Sequence, residues 1–78
     1  MKVPPDRPWF DPLTPTEAEI SELVADGLSN QEIAKRMGRS LQTTDVRIQH
    51  IRQKLDIHRR SEITEWVVKH RPRSPTRD

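Results

Sequence analysis

Gln42, Val46, Gln49 and Gln53 recur at a spacing that puts them on one face of a helix at about 100° per residue. Asp45 and Arg52 flank that face on one side, and Thr43, Arg47, His50 and Lys54 flank it on the other. The chemistry open to such a set is recognition. A glutamine carboxamide pairs with adenine, a valine methyl meets a thymine methyl, and the cations suit phosphate. A β-branched residue on an outer face suits contact better than solvation, although one exposed valine is common and weighs little alone. Bond-making chemistry has no candidates. There is no Gly-rich phosphate loop, no nucleophile beside a base and no paired carboxylates in an apolar cleft. Cysteine is absent, and His50, His58 and His70 stand without neighbouring ligands. No enzyme, metal site or cofactor is expected.

For that face to point outward, another must point in. Thr44, Ile48, Ile51 and Leu55 form the inward stripe of a helix expected over about 41–56. A shorter helix over 30–37 precedes it, with Ile33, Ala34 and Met37 inward, and Gly38-Arg39-Ser40 supplies the break. Two short helices joined by a Gly-containing turn make a helix-turn-helix, whose second helix enters the DNA major groove. Ser29 with Glu32 forms a capping box, and Asn30 at the exposed amino end either serves helix-start chemistry or meets a phosphate. A first helix over 15–26 opens on Thr14, Pro15 and Glu17, with Leu13 stapled to Ala18, and Gly27 stops it. Ala18, Ile20, Leu23 and Val24 face inward, while Glu17, Glu19, Glu22 and Asp26 are expected outward. In a fourth helix over 59–70, Ile63, Val67 and His70 share a face with Trp66 and Lys69 beside it. Ile63 and Val67 are expected to pack beneath the third helix and against Leu23 or Val24. Trp66 either caps the core or forms the hub of a twofold contact.

The ends differ in character. Residues 1–12, with prolines at 4, 5 and 8, should form an extended arm. Its Trp9 and Phe10 either close one end of the core or anchor a regulatory protein partner. Residues 71–78, RPRSPTRD, should be disordered, either for solubility or to track phosphates. The remaining 58 or so residues of 78 are near the lower limit for an unstapled domain, which favours dimerisation. The net charge is only +2, but it is unevenly placed. Residues 1–29 hold two basic against six acidic side chains, and residues 39–60 hold six basic against two acidic. A basic half facing a polyanion is the pattern of a nucleic-acid binder. No apolar run approaches a membrane span and no signal-peptide pattern opens the chain, so a cytoplasmic, nucleoid-associated protein is expected.

Leu13-Thr14-Pro15-Thr16-Glu17, Gly27-Leu28-Ser29-Asn30-Gln31-Glu32-Ile33-Ala34, Ser40, Thr43, Ile51, Lys54-Leu55 and Arg60 together resemble the LuxR-type (GerE-like) helix-turn-helix domain. The resemblance runs ungapped from about Leu13 to His70. It implies an all-α, compact four-helix domain that binds double-stranded DNA as a homodimer, the fourth helix supplying much of the dimer contact. It also implies base-facing positions at Asp45, Val46 and Gln49. The expectation is that these three read bases, that Asn30, Thr43, Arg47, His50 and Lys54 hold phosphates, and that Ile63, Trp66, Val67 and His70 form the dimer interface. For Lys54 the alternative is a salt bridge within the domain, and for His50 a solvated side chain. The chain departs from the family where Thr43-Thr44-Asp45 replaces the usual Thr-Val-Lys and Arg47 replaces a frequent His. Asp45 repels phosphate yet can accept from cytosine N4, and Arg47 restores the lost charge. No phosphoacceptor module or ligand pocket is visible, so a domain standing alone without an input domain is expected. A sequence-specific transcriptional regulator is the leading reading. The alternative is a module that binds another transcription factor or RNA polymerase with little DNA affinity.

Overall fold

The computed structural model describes residues 9–71, which form four helices: α1 (Pro15–Ala25), α2 (Asn30–Met37), α3 (Leu41–Leu55) and α4 (Arg60–His70). The all-α expectation holds, and each helix end lies within a residue of its expected place. The starts are set by side chains. Thr14 accepts from the Glu17 N–H at 3.1 Å while Glu17 accepts from the Thr14 N–H at 2.9 Å, and Ser29 with Glu32 repeats the arrangement. Ser40 caps α3 by accepting from the Thr43 N–H.

The stops of α1, α2 and α3 are alike in geometry and unlike in residue. Gly27 and Gly38 adopt φ of 93° and 69°, the left-handed region where glycine has no steric penalty. After α3 the same position is taken by Asp56 at φ 58°. The N–H of Ile57 then donates to the Arg52 carbonyl at 3.0 Å, closing the helix. Because an aspartate gives no strong stop signal, the sequence carries the helix one residue too far.

Each helix delivers one fully buried isoleucine, Ile20, Ile33, Ile51 and Ile63, to a single cluster that also takes in Leu13, Leu23, Val24, Ile48 and Val67. α1 packs on all three other helices, α2 on α3, and α3 on α4, whereas α2 and α4 do not pack on each other. Ser21 is also fully buried, its hydroxyl donating to the Glu17 carbonyl one turn back. Polar type hid it from the apolar pattern.

Three expectations need correction. Glu17 does not face outward: it is buried at 4% exposure, because its carboxylate is drawn in by the α1 cap and by Lys54. The arm, where described, is not extended. Residues 9–12 form a turn through a cis Asp11-Pro12 peptide, with the Leu13 N–H donating to the Phe10 carbonyl at 2.8 Å. That turn lays Trp9 and Phe10, both half-buried, on the core beside Trp66, as a lid would lie. Burial on the core leaves each ring only part of its surface for a partner. Arg71, expected in a disordered tail, instead donates its backbone N–H to the Val67 carbonyl and pairs with Glu22 at 3.9 Å. The rest of the expected arm and tail, 1–8 and 72–78, lies outside the described residues. No helix among the described residues is long and apolar enough to cross a membrane.

Asp56 carries both the cost of a left-handed side chain and a negative charge at a helix carboxyl end. Asp56→Gly should therefore raise the unfolding free energy by about 0.5–1 kcal/mol, after allowing for glycine's greater chain entropy. Urea unfolding with an unchanged slope is the check, and a lower midpoint would contradict it.

Candidate nucleic-acid interface

The outer surface of α3 is built by what lies behind it. Thr44, Ile48 and Ile51 are buried at 1%, 4% and 0% exposure, and the Thr44 hydroxyl is satisfied by the Ser40 carbonyl at 3.1 Å. With that stripe held inward, Gln42, Asp45, Val46, Gln49, His50 and Gln53 are exposed, Val46 at 43%. Gln42, Thr43, Val46, Arg47 and His50 line one shallow hollow on this surface. Thr43 is steadied there, its hydroxyl oxygen accepting from Ser40 Oγ at 2.9 Å. The structure thus brings Asp45, Val46 and Gln49 onto one free surface, with Thr43, Arg47 and His50 at its border.

Asn30 and Lys54, expected on phosphates, have partners within the chain. Asn30 Nδ2 donates to Asp45 Oδ1 at 2.7 Å, and Asn30 Oδ1 accepts from Arg60 Nε at 3.0 Å. Lys54 Nζ donates to Glu17 Oε1 at 2.7 Å, tying the last turn of α3 to the first turn of α1. Burial raises the pKa of Glu17, but the bonds from Lys54 and Thr14 outweigh it and leave the carboxyl below its usual range. Lys54 is therefore the ion-pair partner of a buried carboxylate, the alternative that the sequence also offered for it. Both groups were visible in sequence, but nothing there set them within reach of each other across 37 positions.

The α3–α4 loop is held by Arg52, which donates to the His58 carbonyl at 2.8 Å, and by Glu62, which accepts from the N–H groups of His58 and Arg59. Those two backbone donors hold the Glu62 carboxyl below its ordinary value, Arg59 contributing most. Arg60, the first residue of α4, also donates to the Leu28 carbonyl at 2.7 Å and so reaches back to the start of α2.

The expected dimer residues separate into two kinds. Ile63 and Val67 are at 0% exposure inside the chain's own core, so they have no surface to give a second copy, and that expectation is corrected. Trp66 is half-buried, 6.2 Å from Trp9 between ring centroids, and stacks on exposed His70 at 4.2 Å. His70 Nδ1 lies 2.9 Å from the Trp66 carbonyl. Val68, at 62% exposure, is the large apolar side chain that α4 leaves open. It lies one position off the Ile63–Val67 stripe, and in so short a helix periodicity alone does not single it out.

Four short helices, a turn at Gly38 and a third helix with a free polar face define a helix-turn-helix domain of the DNA-binding regulator class. Residues 11–67 match the family of bacterial regulatory proteins known as luxR, through its GerE domain, and the chain belongs to that family. It is 39% identical over 65 residues to an HTH-type transcriptional regulator of Mycobacterium tuberculosis, covering 83% of this chain and 7% of that protein. It is 37% identical over 59 residues to the nitrate/nitrite response regulator protein NarL of Escherichia coli, covering 76% of this chain and 27% of that one. The oxygen regulatory protein NreC of Staphylococcus carnosus is 37% identical over 60 residues, with coverages of 77% and 28%. The chain thus spans less than a third of the length of each of these relatives.

The Lys54–Glu17 pair gives a pH signature. A carboxyl whose folded pKa is depressed adds stability above its unfolded pKa, and that stability is lost as the pH falls through the folded value. Glu17→Gln should flatten the acid limb of the stability profile. Lys54→Ala should cost about 1–2 kcal/mol near neutrality, discounted because the lysine is 39% exposed, and should move the acid loss to higher pH. Urea unfolding across the acid range measures both, and an acid limb unchanged in Glu17→Gln would contradict the assignment.

Proposed function

We propose that the domain is a sequence-specific transcriptional regulator whose α3 lies in the DNA major groove, with Val46 and Gln49 touching base edges beside Asp45. The observation that carries this reading is the joint exposure of those three side chains above a buried Thr44-Ile48-Ile51 stripe. Val46 meets a thymine methyl and Gln49 pairs with adenine. Arg47, Thr43 and His50 at the border of the same face hold phosphates, which fixes register without reading sequence. Membership of a family of bacterial regulatory proteins and the likeness to a relative described as an HTH-type transcriptional regulator support the same reading. The site of action is then the DNA of the bacterial cytoplasm.

The active form on this reading is a homodimer joined through α4. Val68 is central, with Thr64, Glu65 and Lys69 around it, because α4 turns Ile63 and Val67 into the core and leaves Val68 at 62% exposure. Half-sites are then centred about 10 bp apart.

Fluorescence anisotropy with a duplex selected from a random pool tests the first part. Binding should weaken steeply with salt, and Gln49→Ala should lose about 1–3 kcal/mol with relaxed base choice at one position. Equal weakening on every duplex would remove Gln49 from base readout, and no binding at all would end the DNA reading. Sedimentation with and without the duplex tests the second part. Val68→Glu should leave a folded monomer, whereas an unchanged assembly would exclude this face.

A further inference from the structure

Arg60, Asn30 and Asp45 form one directed string of hydrogen bonds that begins in α4, crosses the start of α2 and ends on the outer face of α3. Arg60 donates to Asn30 Oδ1 at 3.0 Å and to the Leu28 carbonyl at 2.7 Å, and Asn30 Nδ2 donates to Asp45 Oδ1 at 2.7 Å. The orientation of the Asn30 amide is set by its neighbours. A guanidinium can only donate and a carboxylate can only accept, so Oδ1 must face Arg60 and Nδ2 must face Asp45. The helices themselves do not supply this link, since α2 and α4 do not pack on each other. Nor is Asn30 needed to start α2, because Ser29 accepts from the Glu32 N–H in the capping role.

We infer that Asn30 and Arg60 are positioning residues for Asp45, fixing one carboxylate oxygen so that the other accepts from the N4 amine of a cytosine. This rests on the major-groove reading above and adds its specificity: the bound site carries a C·G pair opposite Asp45. Three physical points lead there. In the major groove the base-edge donors are cytosine N4 and adenine N6, and the adenine donor sits beside the N7 acceptor, which repels a carboxylate. Asp45 is exposed, and an untethered carboxylate there would sample several rotamers and repel phosphates as readily as it met a base. The Asn30 bond restricts the rotamer, and the Arg60 charge at the far end of the amide offsets part of the repulsion. Asn30 serves recognition through Asp45 and has no phosphate to hold.

The experiment uses the full chain and a site selected from random duplexes by the unaltered protein. Affinities are measured on that site and on duplexes carrying each single base-pair change, for Asp45→Ala, Asn30→Ala, Arg60→Gln and the Asn30→Ala/Asp45→Ala double variant. The unaltered protein should lose at least about fivefold when one particular C·G pair is replaced, and Asp45→Ala should be indifferent there. Asn30→Ala and Arg60→Gln should lose most of that preference at the same position alone, and the double variant should match Asp45→Ala. A ratio of affinities cancels the active fraction, so a less stable variant does not mimic the result. Asn30→Ala that weakens all duplexes alike with a shallower salt dependence identifies a phosphate contact and overturns the inference. Asn30→Ala with no effect overturns it as a purely structural string. A selected site with no C·G preference erased by Asp45→Ala overturns this inference while the major-groove reading stands, and failure to select any site overturns both.

Discussion

One isoleucine from each helix, Ile20, Ile33, Ile51 and Ile63, loses all contact with solvent in a single cluster, and the other features follow from that meeting. Burying a side chain of this size contributes about 1.5–3 kcal/mol before chain entropy is counted, so a domain this small cannot forgo any of the four. Their alignment leaves each helix one rotation about its own axis. For α3 that rotation places Ile48, Ile51 and Thr44 inward and turns Asp45, Val46 and Gln49 to solvent. The recognition surface is thus the reverse side of the core.

Around the core, ionic and polar side chains join segments that helix packing alone leaves loosely related. Lys54 holds the end of α3 to the buried carboxylate at the start of α1, and Arg52 with Glu62 shapes the bend into α4. Arg60 reaches across to Leu28 and Asn30, where the two backbones do not approach. These bonds use up cations that would otherwise be available to a polyanion. Among the basic residues of α3, Arg47 borders the recognition face, whereas Arg52 and Lys54 are engaged in holding the domain together. A count of charges along the chain does not reveal that division.

Much of the fold was legible in residue order. Capping boxes at Thr14 and Ser29, glycines at Gly27 and Gly38, and the stripe through Ile48, Ile51 and Leu55 are local signals, each contained within one or two helical turns. They place the four helices and the exposed side of α3, and the family resemblance carries the same architecture. Asp56 shows the limit of that reading, since an aspartate takes the left-handed position only because the chain beyond it must return to the core at Ile57.

What residue order determined, then, was where helices begin, which stripe of each is apolar, and the class of domain those helices make. Tertiary structure alone decided which polar groups meet. Glu17 became buried because Lys54, 37 positions away, came within 2.7 Å of it. Asn30 turned to Asp45 and Arg60, while Ile63 and Val67 went wholly to the interior and left Val68 outside. The physical reason is that caps and apolar stripes depend on neighbours three or four residues away. Hydrogen bonds and ion pairs between helices depend on distances that exist only after the helices have packed.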